Sequence, residues 1–225
     1  MKKLFFVVFL SVAIAMQAQQ HLVLIPEAFS GITVTGKLEV ELIHSDKNLV
    51  EIRQTEGLKP EEIKVKVSNG ILHIKTSFSG KNKAQLIVYY ASVLTDIRSN
   101  AGADIRSPNT LETPSLLLAV RAGGKVECTL KVQTLDAKLV SGGLMVLKGY
   151  AHKQTVQANT GSTYSAYELQ TTISEVICNV GAKAKIQVSE TLIARAFGKS
   201  FIGYDGNPAS LSVKEATGGK VEKVQ

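Results

Sequence analysis

Acidic residues are the first candidates for chemistry, because paired carboxylates break glycosidic bonds. Hydrolysis needs two carboxyl groups roughly 5 to 9.5 Å apart, and elimination needs a carboxylate cluster that holds calcium beside a base. In a protein of stacked repeats, such acids would occupy matching positions in neighbouring repeats. The aspartates after residue 18 occupy different positions in the repeat described below: Asp46, Asp96, Asp104, Asp136 and Asp205. We therefore predict no catalytic residues, and a β-helix enzyme that degrades polysaccharide is the less favoured alternative.

The histidines and the glycine-rich segments do not form a recognisable cofactor site. Each histidine stands apart from any other His, Cys or acid at the spacing of metal ligands. These histidines are His21, His44, His73 and His152. Gly198-Lys199-Ser200 lacks the leading glycine of a phosphate-binding loop, and no Gly-x-Ser-x-Gly nucleophile motif is present. The sequence therefore predicts no metal and no cofactor.

Two tyrosines are candidate binding residues, because sugar rings stack on exposed aromatic side chains. Tyr167 and Tyr204 each lie six residues after a repeated glycine, namely Gly161 and Gly198. The two positions are two repeats apart, which corresponds to roughly 10 Å at the spacing of strands. This arrangement predicts a stacking ladder for a glycan chain. The alternative is that both rings only cover a sheet, and Tyr164 is expected to lie in the core.

The basic residues favour an acidic partner only weakly. The formal net charge is +7, and loss of Lys2 and Lys3 would lower it to +5, because 24 basic residues would face 19 acidic ones. Lys125, Lys183 and Lys220 share one position of the repeat, which would suit anionic glycans, although such lysines also serve solubility alone. No dense basic block is present, so a nucleic-acid partner is not expected.

Regularly spaced glycines organise the second half of the chain. Spacings of 21, 19, 19, 20, 17 and 20 residues separate Gly102, Gly123, Gly142, Gly161, Gly181, Gly198 and Gly218. Three residues after each glycine the side chain is apolar or aromatic: Ile105, Val126, Met145, Tyr164, Ala184, Phe201 and Val221. A period near 20 with strand-forming composition indicates a parallel β-helix with about 20 residues per coil. A β-sandwich would place turns every 8 to 12 residues without such aligned positions.

The N-terminal region has the pattern of separate strands. Apolar residues alternate from Ile63 to Val67 and again at Leu72 and Ile74, on either side of Asn69-Gly70. An Asn-Gly pair between two alternating runs is a strong hairpin signal. We therefore predict a β-rich region over residues 19–94, continuous with β-helix repeats over 95–225.

The first residues have the features of a secretory signal peptide. A basic start is followed by an apolar run from Leu4 to Met16, which is too short to span a bilayer. Cleavage is expected after Ala15 or after Ala18. A signal peptide over 1–18 predicts an exported protein, located in the periplasm, at the outer-membrane surface or outside the cell. No later segment has the length of a transmembrane helix.

The two cysteines test the proposed repeat. Cys128 and Cys178 are 50 residues apart, or about two and a half coils, hence roughly 12 Å along the axis. A disulfide requires Cα atoms within about 7 Å. Both thiols are therefore expected to be free and buried.

These motifs resemble the family called "putative auto-transporter adhesin, head GIN domain", which is common in Bacteroidetes. The resemblance rests on Phe29-Ser30-Gly31-Ile32-Thr33-Val34-Thr35-Gly36, Asn69-Gly70-Ile71-Leu72-His73-Ile74, the repeated glycine turns, Tyr204-Asp205-Gly206-Asn207-Pro208 and Thr217-Gly218-Gly219-Lys220-Val221. It implies a right-handed β-helix preceded by a small β-rich region. It further implies a non-enzymatic adhesin-like protein that binds an extracellular glycan or an envelope component. A structural envelope protein is the nearest alternative.

Overall fold

The computed structural model describes residues 21–76 and 83–224, and these residues form an all-β protein. The predicted signal peptide over 1–18 lies outside the described residues. The N-terminal strands are β1 (His21–Leu24), β2 (Gly31–Thr35), β3 (Leu38–His44), β4 (Leu49–Glu56), β5 (Ile63–Ser68), β6 (Ile71–Thr76) and β7 (Lys83–Tyr90). A single 3-10 turn (Pro60–Glu62) precedes β5. Within the described ranges, no helix is long and apolar enough to cross a membrane.

The second half of the chain winds into a β-solenoid, as predicted. Its strands are β8 (Asp96–Asn100), β9 (Asp104–Arg121), β10 (Lys125–Val140), β11 (Leu144–Asn159), β12 (Thr163–Asn179), β13 (Lys183–Phe197), β14 (Phe201–Asp205), β15 (Ser210–Ala216) and β16 (Lys220–Lys223). The long strands β9 to β13 each pair in parallel with the next coil. The solenoid has about seven turns with a spacing of ~19 residues.

Each coil ends in a turn of two residues in the left-handed conformation. The first is usually not glycine and the second usually is, as at Ala122 (φ 49°) and Gly123 (φ 72°). Two consecutive left-handed residues are typical of a type I′ turn, in which glycine has no steric penalty. The same geometry at Asn69 (φ 52°) and Gly70 (φ 71°) joins β5 and β6, which confirms the predicted hairpin.

One turn reverses this order and shifts the sequence alignment by one residue. Gly198 (φ 61°) takes the first left-handed position and Lys199 (φ 59°) takes the second. Ile202 therefore lies opposite Ala184 and is fully buried, while Phe201 lies opposite Lys183 and is half-buried. The sequence alignment that placed Phe201 with Ala184 and the other apolar residues was wrong at this turn, because Gly198 does not mark the same position as the other glycines.

Buried side chains form columns that run along the solenoid. One column of paired residues consists of Ile105, Val126, Met145, Tyr164, Ala184 and Ile202, each at most 1% exposed. Outward side chains alternate with these residues along most of each strand, so the polar positions face solvent. Tyr164 lies in the core as predicted.

The stack of parallel strands extends into the N-terminal region. Strand β2 pairs in parallel with both β6 and β8, and β3 pairs in parallel with β7 and β9. Strands β4 and β5 then pair antiparallel with β7 and β6, and β1 pairs with β4. The outward surfaces of β3, β7, β9, β10 and β11 therefore form one continuous face.

The two cysteines are free and buried, as the repeat predicts. Cys178 lies opposite Ala158 in a column that also contains Leu139 and Val120. Burial raises the thiol pKa of Cys128 and of Cys178 to about 12. Neither thiol is therefore available as a thiolate at neutral pH.

Candidate functional site

The predicted ladder of Tyr167 and Tyr204 does not form. Tyr204 lies opposite Ile186, which lies opposite Ala166, so the two tyrosines occupy different columns. The side chain of Tyr204 points inward, and the residue is only 9% exposed. The cause is again the shifted turn at Gly198, which moves the residues of β14 by one position relative to the preceding glycine.

Tyr167 lies on an insertion in β12. Residues 167–169 of β12 have no partners in β13, because the residues on either side of them pair with two residues that are adjacent in β13. The ring is half-buried, and the ammonium of Lys185 lies 5.4 Å from its centroid. At this distance the cation and the ring attract each other. A binding role for Tyr167 and Tyr204 stays a prediction, without the ladder geometry that motivated it.

The predicted lysine column exists, but its charges are largely paired. Register along the coils places Lys125, Leu144, Thr163, Lys183, Phe201 and Lys220 in one outward row. The Lys125 ammonium lies 2.8 Å from Glu127 and 3.8 Å from Asp104, and Lys220 pairs with Glu222. Apolar side chains and these acids interrupt the row, so it does not present a continuous positive surface.

A concavity on the outward face lies where the N-terminal strands meet the first coils. Its volume is about 480 Å³. Strands β3, β4, β7, β9, β10 and β11 supply its lining, which includes Glu39, Glu41, Arg53, Gln85, Asp104, Arg106, Pro108, Glu127 and Lys148. We call it the Arg106 groove. Strand β9 contains a two-residue insertion relative to β10 between the paired residues Ser107 and Leu111. Pro108 lies in this insertion and lines the groove.

Arg106 lies at the centre of an alternating row of charges. Glu41 on one side and Glu127 on the other are its register partners, and Asp104 precedes it on the same strand. The Arg106 guanidinium donates to both Asp104 carboxylate oxygens, at 2.9 and 3.4 Å. This hydrogen bonding raises the pKa of Arg106 above its ordinary value. The guanidinium is thus hydrogen-bonded to Asp104 and charged at any physiological pH.

The neighbouring charges of the Arg106 groove are also held by partners. The Arg53 Nε donates to Glu51 at 3.0 Å, and the Tyr89 hydroxyl donates to the other Glu51 oxygen at 3.0 Å. A hydrogen bond from Lys125 lowers the pKa of Glu127. The Glu127 carboxylate therefore stays ionised at neutral pH and has no proton to donate as an acid. These features suit a fixed electrostatic surface rather than proton transfer.

A pattern that the sequence analysis overlooked locates these charges. Six ion pairs among the described residues join positions i and i+2 of one strand: Glu51 with Arg53, Asp96 with Arg98, Asp104 with Arg106, Lys125 with Glu127, Asp136 with Lys138 and Lys220 with Glu222. Residues two apart on a strand lie on the same face. Opposite charges at this spacing, such as the repeated Asp-Ile-Arg, would have marked the outward face.

The groove offers charged and amide side chains but no metal-binding cluster. Among residues 21–76 and 83–224, no group of three or more His, Cys, Asp or Glu side chains has the arrangement that a metal ion needs. The Gln85 amide donates to Glu39 at 3.1 Å, which adds a neutral donor to the acidic wall. The arrangement can therefore recognise a partner through paired charges and hydrogen bonds.

The chain belongs to the family "putative auto-transporter adhesin, head GIN domain", whose model matches residues 28–208. The matched range includes the N-terminal strands and the coils up to the turn after β14, and so contains the whole Arg106 groove. No functionally curated protein matches the chain.

Solved structures of similar fold come from Bacteroidetes. A putative adhesin from Bacteroides fragilis is 18% identical with a TM-score of 0.73, covering 91% of this chain and 96% of its own. One from Parabacteroides merdae is 18% identical with a TM-score of 0.68, covering 92% and 95%. A putative lipid binding protein from Parabacteroides distasonis is 16% identical with a TM-score of 0.61, covering 92% and 96%. At these identities the likeness establishes the fold alone.

Proposed function

We propose that this chain is an exported, non-enzymatic, adhesin-like protein that binds a component of the cell envelope or its surroundings. The observation that carries the proposal is the Arg106 groove, in which carboxylates and cations are paired before any partner arrives. Membership of a family described as adhesins supports the same function. A preorganised, charged concavity of about 480 Å³ suits recognition, because its side chains lose little freedom on binding.

Arg106 is the residue expected to contribute most to binding. Asp104 accepts hydrogen bonds from only part of the guanidinium, so the remaining donors can reach a carboxylate, phosphate or carbonyl of a partner. Arginine is often an energetic hot spot of an interface. Charged groups around it, including Glu41, would limit which partners fit.

Retention of the purified full chain on arrays of glycans and extracellular-matrix proteins tests the proposal. Arg106→Ala should weaken retention about tenfold, as expected for a hot spot. Arg121→Ala is the matched control, because Arg121 is exposed on the same strand and lies outside the groove. Retention should fall between low and physiological salt, because exposed charges are screened.

Turnover measurements on the same polysaccharides distinguish the binder from an enzyme. Reducing ends and unsaturated products should not accumulate while the polymer is retained. Turnover that a single acidic substitution abolishes would establish the enzyme instead. Absence of any retained partner would leave the structural envelope role. The mass of the chain purified from its own cells tests export, with a mature N-terminus expected after Ala15 or Ala18.

A further inference from the structure

A second concavity, of about 420 Å³, lies on the later coils of the solenoid. Strands β11, β12 and β13 and the turn after β14 form it. None of its lining residues is charged: Tyr150, Gln170, Thr171, Thr172, Gln187, Val188, Ser189, Gly206 and Asn207. We call it the Tyr150 groove. Its lining contrasts with the Arg106 groove, where seven of the sixteen lining residues are charged.

Irregular backbone on two successive coils creates the Tyr150 groove. Strand β13 has one residue more than β12 at this point, because residues 189–190 lie opposite Thr172 alone. On the next coil the chain turns away after β14 at Gly206, whose φ is +108°. A Cβ there would lie 2.0 Å from the carbonyl oxygen of Val188, so only glycine allows this close approach. The turn thereby encloses one end of the groove.

A buried polar network holds the backbone beneath this groove. The Tyr164 hydroxyl donates to the Gln154 side chain at 2.6 Å, and the Gln154 amide donates to Ser174 at 2.9 Å. The Thr171 hydroxyl lies 2.7 Å from that of Ser174 and donates to the Gln187 carbonyl at 2.5 Å. A fully bonded network of buried polar groups fixes strand register, because any slip would leave its members unpaired. The floor of the groove is thus rigid.

Three outward side chains form a row along the groove. Tyr150 lies opposite Gln170, and Gln170 lies opposite Gln187, so the row advances by about 4.8 Å per coil. The Tyr150 side chain is 39% exposed. The two glutamine amides make no hydrogen bond to any residue in the described part of the chain. An aromatic face is therefore followed by two free amides.

We propose that the Tyr150 groove binds an uncharged glycan. A sugar ring has an apolar face that stacks on an aromatic ring and hydroxyl groups that both donate and accept. Glutamine, threonine and serine side chains supply the complementary donors and acceptors, and the absence of charge disfavours an ionic polymer. The volume lies in the range of small-ligand sites. This inference rests on the proposed binding function and adds a ligand class and a second site.

Titration calorimetry and saturation-transfer NMR of the full chain with neutral gluco-, manno- and galacto-oligosaccharides test the inference. Tyr150→Ala should weaken binding about tenfold, as for an aromatic hot spot, while Tyr150→Phe should retain it. Gln157→Ala is the matched control, because this exposed glutamine is on the same strand as Tyr150 and lies outside the groove. Affinity should not change between low and physiological salt, because the contacts are uncharged. Far-UV circular dichroism checks folding, and Gln170→Ala is a second variant at an exposed position.

Each outcome bears on the inference separately from the proposed function. Loss of binding in Tyr150→Ala and Gln170→Ala, with Gln157→Ala unchanged, supports a glycan site in the Tyr150 groove. Failure of every neutral oligosaccharide to bind, or equal binding by Tyr150→Ala and wild type, overturns it. If Arg106-dependent retention of another partner persists in that case, the proposed function stands without the glycan site. If that retention is absent too, both fail.

Discussion

Ile202 lies directly opposite Ala184 on the neighbouring coil, and both side chains are fully buried. The two left-handed residues of the preceding turn are Gly198 and Lys199. This turn directs Phe201 outward, to the row that contains Lys183. The last coils therefore keep the apolar column intact through Ile202.

Truncation of Ile202 should destabilise the protein more than truncation of Phe201. Ile202→Ala removes a fully buried side chain from a packed column, which costs about 2–5 kcal/mol. Phe201→Ala removes a half-buried ring and should cost less. Urea midpoints of the two variants measure the difference. A larger loss for Phe201→Ala would show that the glycine alignment, rather than the left-handed turn pair, sets the register.

Much of the fold could be predicted because the turn chemistry repeats. Glycine at the second left-handed position, followed three residues later by an apolar or aromatic residue, occurs often enough to give the period directly. The same rule failed at Gly198, because a lysine occupies a position where steric constraint usually requires glycine. The pairing of β2 between β6 and β8 was also not predictable. The sequence of a strand gives no local signal of which strands, distant in sequence, it pairs with.

The candidate sites were less predictable than the fold. Arg106 could have been found from Asp-Ile-Arg, because opposite charges two residues apart share a strand face. Tyr150 could not, since its glutamine neighbours become adjacent only through the irregular pairing of β12 with β11 and with β13. Small register shifts that collect side chains into a groove depend on packing between coils, which one strand's sequence does not encode.

Lys199→Gly should stabilise the protein. Lys199 has a φ of +59°, a conformation that costs a residue with a Cβ roughly 1–2 kcal/mol. Glycine removes this cost, while the greater freedom of the unfolded chain offsets about 0.4–1 kcal/mol of the gain. The net increase in the free energy of unfolding should be about 1 kcal/mol or less. Lys183→Gly, at an extended strand position, is the control and should destabilise; a lower urea midpoint for Lys199→Gly would contradict the prediction.

Neither thiol should react while the protein is folded. Cys128 and Cys178 are buried, and burial raises the pKa of each to about 12, so almost no thiolate exists at neutral pH. Iodoacetamide labelling followed by mass spectrometry should show no modification in buffer and two modified cysteines in concentrated urea. Rapid labelling of Cys178 without denaturant would show that the column with Ala158 is open to solvent.

The ion pair of Lys125 with Glu127 should make stability depend on pH in the acidic range. The hydrogen bond from Lys125 lowers the pKa of Glu127 below its ordinary 4.5. A carboxyl with a lowered folded-state pKa stabilises the protein above its unfolded value, and this contribution disappears as pH falls through the folded value. The advantage of wild type over Glu127→Gln in urea midpoint should therefore shrink below pH 4.5. An advantage that grows on acidification would contradict the assignment. In a Lys125→Ala background, the further substitution Glu127→Gln should change the urea midpoint little at any pH.

The claim that this chain is a non-enzymatic binding protein is tested most directly by size-exclusion chromatography with light scattering. The sample is a mixture of the full chain and a polysaccharide that retains it. One trace reports both whether the protein travels with the polymer and whether the polymer mass changes. We expect wild type to co-elute with polymer of unchanged mass, and Arg106→Ala to elute largely free. A fall in polymer mass during incubation with wild type would contradict a non-enzymatic binding protein.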